Sequence, residues 1–342
     1  MIDFRLIKNF WLLCLASICG YQPVAADVIK TNTGEMKNIV VQKETYKIVF
    51  YYLKIDPKKT PQSLETSKIV QIIREVKNPN YDMGEDLFGK KLYKEAFLAY
   101  KRAADEQSGS EKQHPLFKMA QCQYFLGNLT GAIATYRRLQ KQFPDSFYLP
   151  ETCLQLAECL MAQKKWKEAA SMLNQAGELY QEIKKDAEFW EVTYTKGILQ
   201  ERQNNIKEAI SLYQNILSKA DRSSQLKQKS HLRLAHCWLE KDDEKAKEAF
   251  VSLLEKTNVD NQPMLAGIYV GLGHYYLKKQ EIKQALLCYL RPVMLYSSES
   301  EYASTAYLKA AYCYELLKDQ NPSYRSRAKQ LKDMQRQKFG QQ

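Results

Sequence analysis

Seven small residues recur along this chain, at Gly84, Ala120, Ala157, Gly197, Ala235, Gly273 and Ala311, with spacings of 36, 37, 40, 38, 38 and 38 residues. Five are answered by an alanine twelve positions on: Gly84 by Ala96, Ala120 by Ala132, Ala157 by Ala169, Gly197 by Ala209 and Gly273 by Ala285. Ala235 with Ala246 is one residue tighter, and Ala311 opens a final unit with a longer turn. Four residues beyond each alanine comes a large apolar side chain: Tyr100, Tyr136, Leu173, Tyr213, Phe250 or Tyr289. A fixed period in this range marks a solenoid, because one unit cannot bury its own apolar face and must stack on the next. Within each half-unit, apolar residues recur at steps of three and four, which predicts an amphipathic helix. The small residues then lie where two antiparallel helices cross, and the aromatic is expected to fill the groove towards the next unit. Pro144 is expected to end one pair. Pro292 falls inside an expected helix and predicts a kink there.

This pattern resembles the tetratricopeptide repeat. Residues 116–144 carry the family's spacing through Ala120, Gly127, Ala132, Tyr136 and Pro144, and residues 153–176 carry it through Ala157, Leu160, Trp166, Ala169 and Leu173. The resemblance spans residues 79–338, although most units exceed the family's usual length. It implies a mainly α fold, a right-handed solenoid of about seven helical hairpins. The basic stretch SYRSRAKQLKDMQRQKF (323–339) is similar to the capping helix that closes such an array.

Residues 27–76 read differently. They alternate and are rich in Val, Ile, Tyr and Thr, which suits strands. A turn is expected at Thr33-Gly34 and a last strand in SKIVQIIREV. The segment is similar to the small SH3-like or Sm-like barrels that precede tetratricopeptide arrays in some exported bacterial proteins. About fifty residues make a marginal core, so this module is expected to pack on the first repeat. Ahead of it, Arg5 and Lys8, the apolar run Phe10–Gly20, and small Val24 and Ala26 form the order of a secretory signal, with cleavage before Asp27. The run is shorter than a bilayer span requires. Residues 1–26 are therefore expected to be a signal peptide, and the mature protein to be exported to the periplasm or cell envelope.

Export weighs against a nucleic-acid partner despite a net charge of +12, and the Lys and Arg residues are spread along nearly every expected helix. Six cysteines follow the signal (Cys122, Cys153, Cys159, Cys237, Cys288 and Cys313), all within expected helices and mostly beside core positions, where small thiols pack well; one or more disulfides in an oxidising compartment are the alternative. No redox, haem, phosphate-loop or metal spacing occurs around them or around His114, His231, His236 and His274. Glu158 and Glu201 read as solvated carboxylates. Neither a catalytic constellation nor a cofactor is expected.

The inner, concave face is where a tetratricopeptide array binds its partners. Counting from each small residue, its positions hold Tyr81, Phe88, Phe117, Gln121, Tyr124, Phe125, Leu154, Met161, Tyr194, His236, His274 and Tyr312. Exposed aromatic side chains there suit an extended or helical peptide; rings that only pack between helices are the alternative. The Lys/Asn arrangement that clamps a carboxyl terminus in chaperone-binding relatives is missing. The expected function is a non-enzymatic exported scaffold for other proteins or peptides, envelope proteins among them. A glycan-binding accessory of cell-wall metabolism is the alternative.

Overall fold

A computed structural model describes residues 27–73, 78–220, 224–296 and 301–340. The signal expected over 1–26 lies outside the described residues, as do residues 74–77 at the end of the β segment. The chain divides into two compact units, residues 1–149 and 150–342.

The first unit opens with five strands: β1 (Asp27–Thr31), β2 (Gly34–Glu44), β3 (Ile48–Leu53), β4 (Gln62–Glu65) and β5 (Ile69–Ile73). They form one antiparallel sheet in the order β4-β3-β2-β1-β5, and a 3-10 turn at Thr66–Lys68 leads into β5. This meander, with its last strand returning to the first, agrees with the SH3-like expectation. Its core comes from alternate strand positions, Ile29, Ile39, Val41, Val49, Tyr51 and Ile69. The buried Asp27 carboxylate accepts the Val41 N–H at 2.8 Å.

Four helices follow: α1 (Pro79–Gly89), α2 (Tyr93–Glu106), α3 (Gln113–Phe125) and α4 (Leu129–Gln142). Asn78 caps α1 by accepting the N–H groups of Asn80 and Tyr81, with Pro79 in the first turn. Asn128 caps α4 in the same way, and α4 stops at Gln142, just before Pro144. The sheet's polar anchors reach the second hairpin and the segment after it. Phe147 joins the sheet core, Thr45 pairs with Ser146, and the Tyr46 N–H donates to the Asp145 carbonyl at 3.2 Å. Gln113 fixes that segment, accepting from the Ser146 hydroxyl at 2.6 Å and the Phe147 N–H at 3.0 Å.

The second unit holds α5 (Leu149–Ala162), α6 (Trp166–Glu182), α7 (Asp186–Arg202), α8 (Ile206–Lys219), α9 (Ser224–Trp238), α10 (Asp243–Lys256), α11 (Gln262–Lys278), α12 (Ile282–Leu295), α13 (Glu301–Leu316) and α14 (Ser323–Phe339). Counted over both units, fourteen described helices make seven tetratricopeptide-like hairpins. Every small residue of the sequence pattern is buried, and so are all six large side chains that follow. The aromatic closes its own hairpin, where Tyr100 lies on Gly84, Tyr213 on Gly197 and Tyr289 on Gly273, and Tyr213 and Tyr289 also share a core with Leu234 and Ala310 of the following hairpins. Phe250 meets His236 of its own hairpin at 5.0 Å and also Gly271 of the following one.

The turn inside each hairpin is also fixed. Lys91, Gly127, Lys164, Asn204 and Gln280, each seven residues after the small residue, have φ of 60°, 72°, 59°, 63° and 63°. Such left-handed residues end helices and reverse the chain. The tighter fifth hairpin has Asp242 at that place with φ −154° instead, capping α10 through the Lys245 N–H.

The stretch expected as a capping helix is α14, the second helix of the seventh hairpin, and its buried Ala328 and Leu331 pack into the same core as Ala311 and Tyr307. Around Pro292, α12 remains a helix for three further residues. No helix among the described residues is long and apolar enough to cross a membrane.

Candidate partner-binding surface

On an α-helix at about 100° per residue, His114, Phe117, Gln121, Tyr124 and Phe125 of α3 share one face. The structure splits that face in two. At its C-terminal end the rings are exposed: Phe125 by 51% and Tyr124 by 36%. Phe125 stacks on Tyr93 at 4.7 Å and 15° and meets Phe88 edge-on at 5.8 Å, while Tyr124 packs against Phe125 at 5.5 Å. Lys118 lies over the Phe88 ring at 4.9 Å and pairs with Glu85 at 3.1 Å. Leu92 and Leu126, in the turns of the first and second hairpins, add exposed apolar surface. The cluster therefore sits where two consecutive hairpins turn.

At the N-terminal end of the same face the rings are packed. Phe117 is only 4% exposed and stacks on Tyr148 at 4.3 Å. Tyr81 lies against Tyr100 at 5.5 Å, and Tyr100 donates to Glu85 at 2.6 Å. Of the expected binding residues in this unit, Tyr124 and Phe125 come together in the open against a half-buried Phe88, Phe117 is buried, and Tyr81 and Gln121 are half-buried.

In the second unit, Met161 is core, Leu154 is half-buried, and Tyr194 packs on Tyr213 at 5.8 Å. His236 and His274 do meet, at 6.2 Å, but as packing rings. His236 stacks on Tyr302 at 5.4 Å, and its Nε2 lies 3.1 Å from the Gly267 carbonyl. Burial, then His274 and Arg233, pushes the His236 pKa down to about 3. Burial, then Lys309, brings His274 down to about 4. Both rings are neutral near pH 7. Among the described residues no group of three or more His, Cys, Asp or Glu is placed to hold a metal ion. Tyr312 alone of this set is open, at 46% exposure.

Neither glutamate is a solvated carboxylate. Glu201 accepts the Tyr213 hydroxyl and lies 3.4 Å from Arg233. Burial, followed by Glu151, raises the Glu158 pKa to about 7 against the pull of Arg202. All six cysteines are free, and five are buried.

The counting rule missed Tyr93, Leu92 and Leu126, because it followed the first helix of each hairpin. Their signal is the recurring turn phrase itself, KKLY at 90–93 and FLGN at 125–128.

The sequence profile of the tetratricopeptide repeat matches residues 116–146 and 154–182, which are the second and third hairpins. A comparison with curated proteins finds no match. Among solved structures, the chain is similar to a tetratricopeptide repeat protein from Parabacteroides merdae, with 17% identity, 75% of this chain and 91% of that one covered, and a TM-score of 0.56. It is similar to a Rap protein solved in complex with competence and sporulation factor, at 17% identity, 75% and 74% coverage and a TM-score of 0.52. It also resembles the Rap conjugation gene regulator of plasmid pLS20 in complex with the Phr* peptide, at 16% identity, 75% and 74% coverage and a TM-score of 0.50. At these identities the likeness is one of fold: tetratricopeptide-type helical hairpins.

Proposed function

We propose that this protein is a non-enzymatic scaffold that binds other proteins or peptides through the turn-end aromatic cluster of its first unit. The observation that carries this reading is the half-exposed Phe125, held rigidly on Tyr93 and Phe88 with Tyr124 beside it. Rigid exposed rings lose little conformational freedom on binding and bury a large area, which makes them hot-spot material. The tetratricopeptide match, and a structural relative seen with a bound peptide, support the same class of partner. The order of charged, apolar and small residues over 1–26 supports export, and with it a partner in the periplasm or cell envelope. Affinity capture from the native source with the wild-type chain and Phe125→Ala tests the reading: partners retained by the first should be lost by the second. Amino-terminal sequencing of the native protein tests export, since an intact Met1 contradicts it.

A further inference from the structure

The closed half of the α3 face is covered by the tip of the β2–β3 hairpin. Glu44, the last residue of β2, is buried, and its Oε2 lies 3.1 Å from His114 Nε2. The other ring nitrogen of His114, Nδ1, meets the Tyr148 hydroxyl at 2.9 Å. Tyr148 stacks on Phe117, and Tyr81 meets the His114 ring edge-on at 6.5 Å. Two of the residues expected to face a partner, Tyr81 and Phe117, thus belong to the ring cluster around the histidine that Glu44 meets.

Burying a carboxylate against an imidazole is a poor way to hold a sheet on a helix. Desolvation of both groups offsets much of their attraction, and an apolar tip of the same shape would serve as well. What an acidic tip provides is selectivity for the imidazole beneath it.

We propose that Tyr81, His114, Phe117 and Tyr148 form a binding site for an acidic side chain of an extended partner, and that Glu44 occupies this site in the resting chain. The inference rests on reading the α3 face as a partner surface, and it names the partner's chemistry at that face. A partner that sets Asp or Glu against His114 has to displace the tip. Partner and tip then compete, and the partner's apparent affinity falls by the fraction of chains that are closed. Polar contacts help to hold the tip: the Tyr46 N–H to the Asp145 carbonyl, the Thr45–Ser146 bridge, and Lys43 to Asp145 at 3.1 Å on the exposed side.

The probe is a labelled synthetic peptide of residues 40–49, VVQKETYKIV, read by fluorescence anisotropy against the full chain. The Glu44→Gln chain should bind it about tenfold or more tighter than wild type, because its own tip no longer competes. Replacing the peptide's glutamate by glutamine, or adding His114→Gln to the chain, should abolish that gain. Equal binding by the wild-type and Glu44→Gln chains, or a gain that survives loss of the peptide's carboxylate, overturns the proposal. Should Glu44→Gln lose its helical signal, wild type is read instead by hydrogen exchange. Excess peptide should then speed exchange of the Tyr46 amide, and unchanged exchange overturns the proposal. Phe125→Ala should leave peptide binding intact, so failure here is distinct from failure of the turn-end cluster.

Discussion

Tyr100 lies across Gly84 so closely that a Cβ on Gly84 would stand 2.6 Å from Tyr100 Cε1. The same contact recurs at 2.5 Å between Gly197 and Tyr213 and at 2.6 Å between Gly273 and Tyr289. Each aromatic is fully buried, so it cannot swing aside without opening its hairpin. Gly84→Ala should therefore destabilise by about 1–3 kcal/mol, the usual cost of overpacking. Gly89→Ala, on the same helix with nothing within 4 Å of the new methyl group, should be neutral or slightly stabilising. Circular-dichroism melts of the pair check this.

The hairpin turns give a second contrast. Gly127 and Lys164 occupy equivalent left-handed positions, at φ 72° and 59°. An L-residue there costs roughly 1–2 kcal/mol. Gly127→Ala should lose about that amount, since open space around Gly127 leaves only the backbone to object. Lys164→Gly should gain part of it, offset by the freer unfolded chain. Urea midpoints of opposite sign are the expected result.

Titration should act on the second unit in two opposing ways. The Glu158 pKa rises from its ordinary 4.5 to about 7. The folded chain then holds more protons than the unfolded one between those values, and stability falls as pH rises through that window. Glu158→Gln should melt higher than wild type at pH 8 and show no such gain at pH 4. His236 and His274, pushed from 6.5 down to about 3 and about 4, have the reverse sign: the unfolded chain takes up protons first, and stability falls as pH drops below 6.5. His274→Gln should reduce that acid loss. Melts at several pH values separate the two.

Burial pushes the thiols of Cys122, Cys159 and Cys237 up to about 12, and those of Cys288 and Cys313 up to about 11. Thiols held there carry almost no nucleophilic thiolate at pH 8. Iodoacetamide should leave these five thiols unmodified in the folded chain at that pH, and denaturant should release them to it. Mass spectrometry reads both states.

The repeat was legible in the sequence because its determinant is local and periodic. A small residue opposite a small residue, with a ring four positions on, specifies a crossing wherever it occurs. Even the one-residue tightening at Ala235/Ala246 has its counterpart, the loss of the left-handed turn at Asp242. The binding surface was only half legible. Helical counting puts Phe117 and Phe125 on one face, but Tyr148, which stacks on Phe117, lies in a segment whose course depends on Gln113 and Ser146. Nor does periodicity reveal that Glu44 reaches His114, since 70 residues separate them and the contact depends on how the sheet is tied down.

Those two phenylalanines give the most direct test of the turn-end surface. Phe125 is 51% exposed and Phe117 is 4% exposed, on one helix and one face. Phe125→Ala should leave the melt near that of wild type while weakening the captured partner by about thirtyfold, the 2 kcal/mol of a hot-spot ring. Phe117→Ala should instead cost about 3–5 kcal/mol of stability as a core truncation. A Phe125→Ala chain that keeps both its melt and its full partner affinity would contradict the assignment of the turn-end rings as the binding surface.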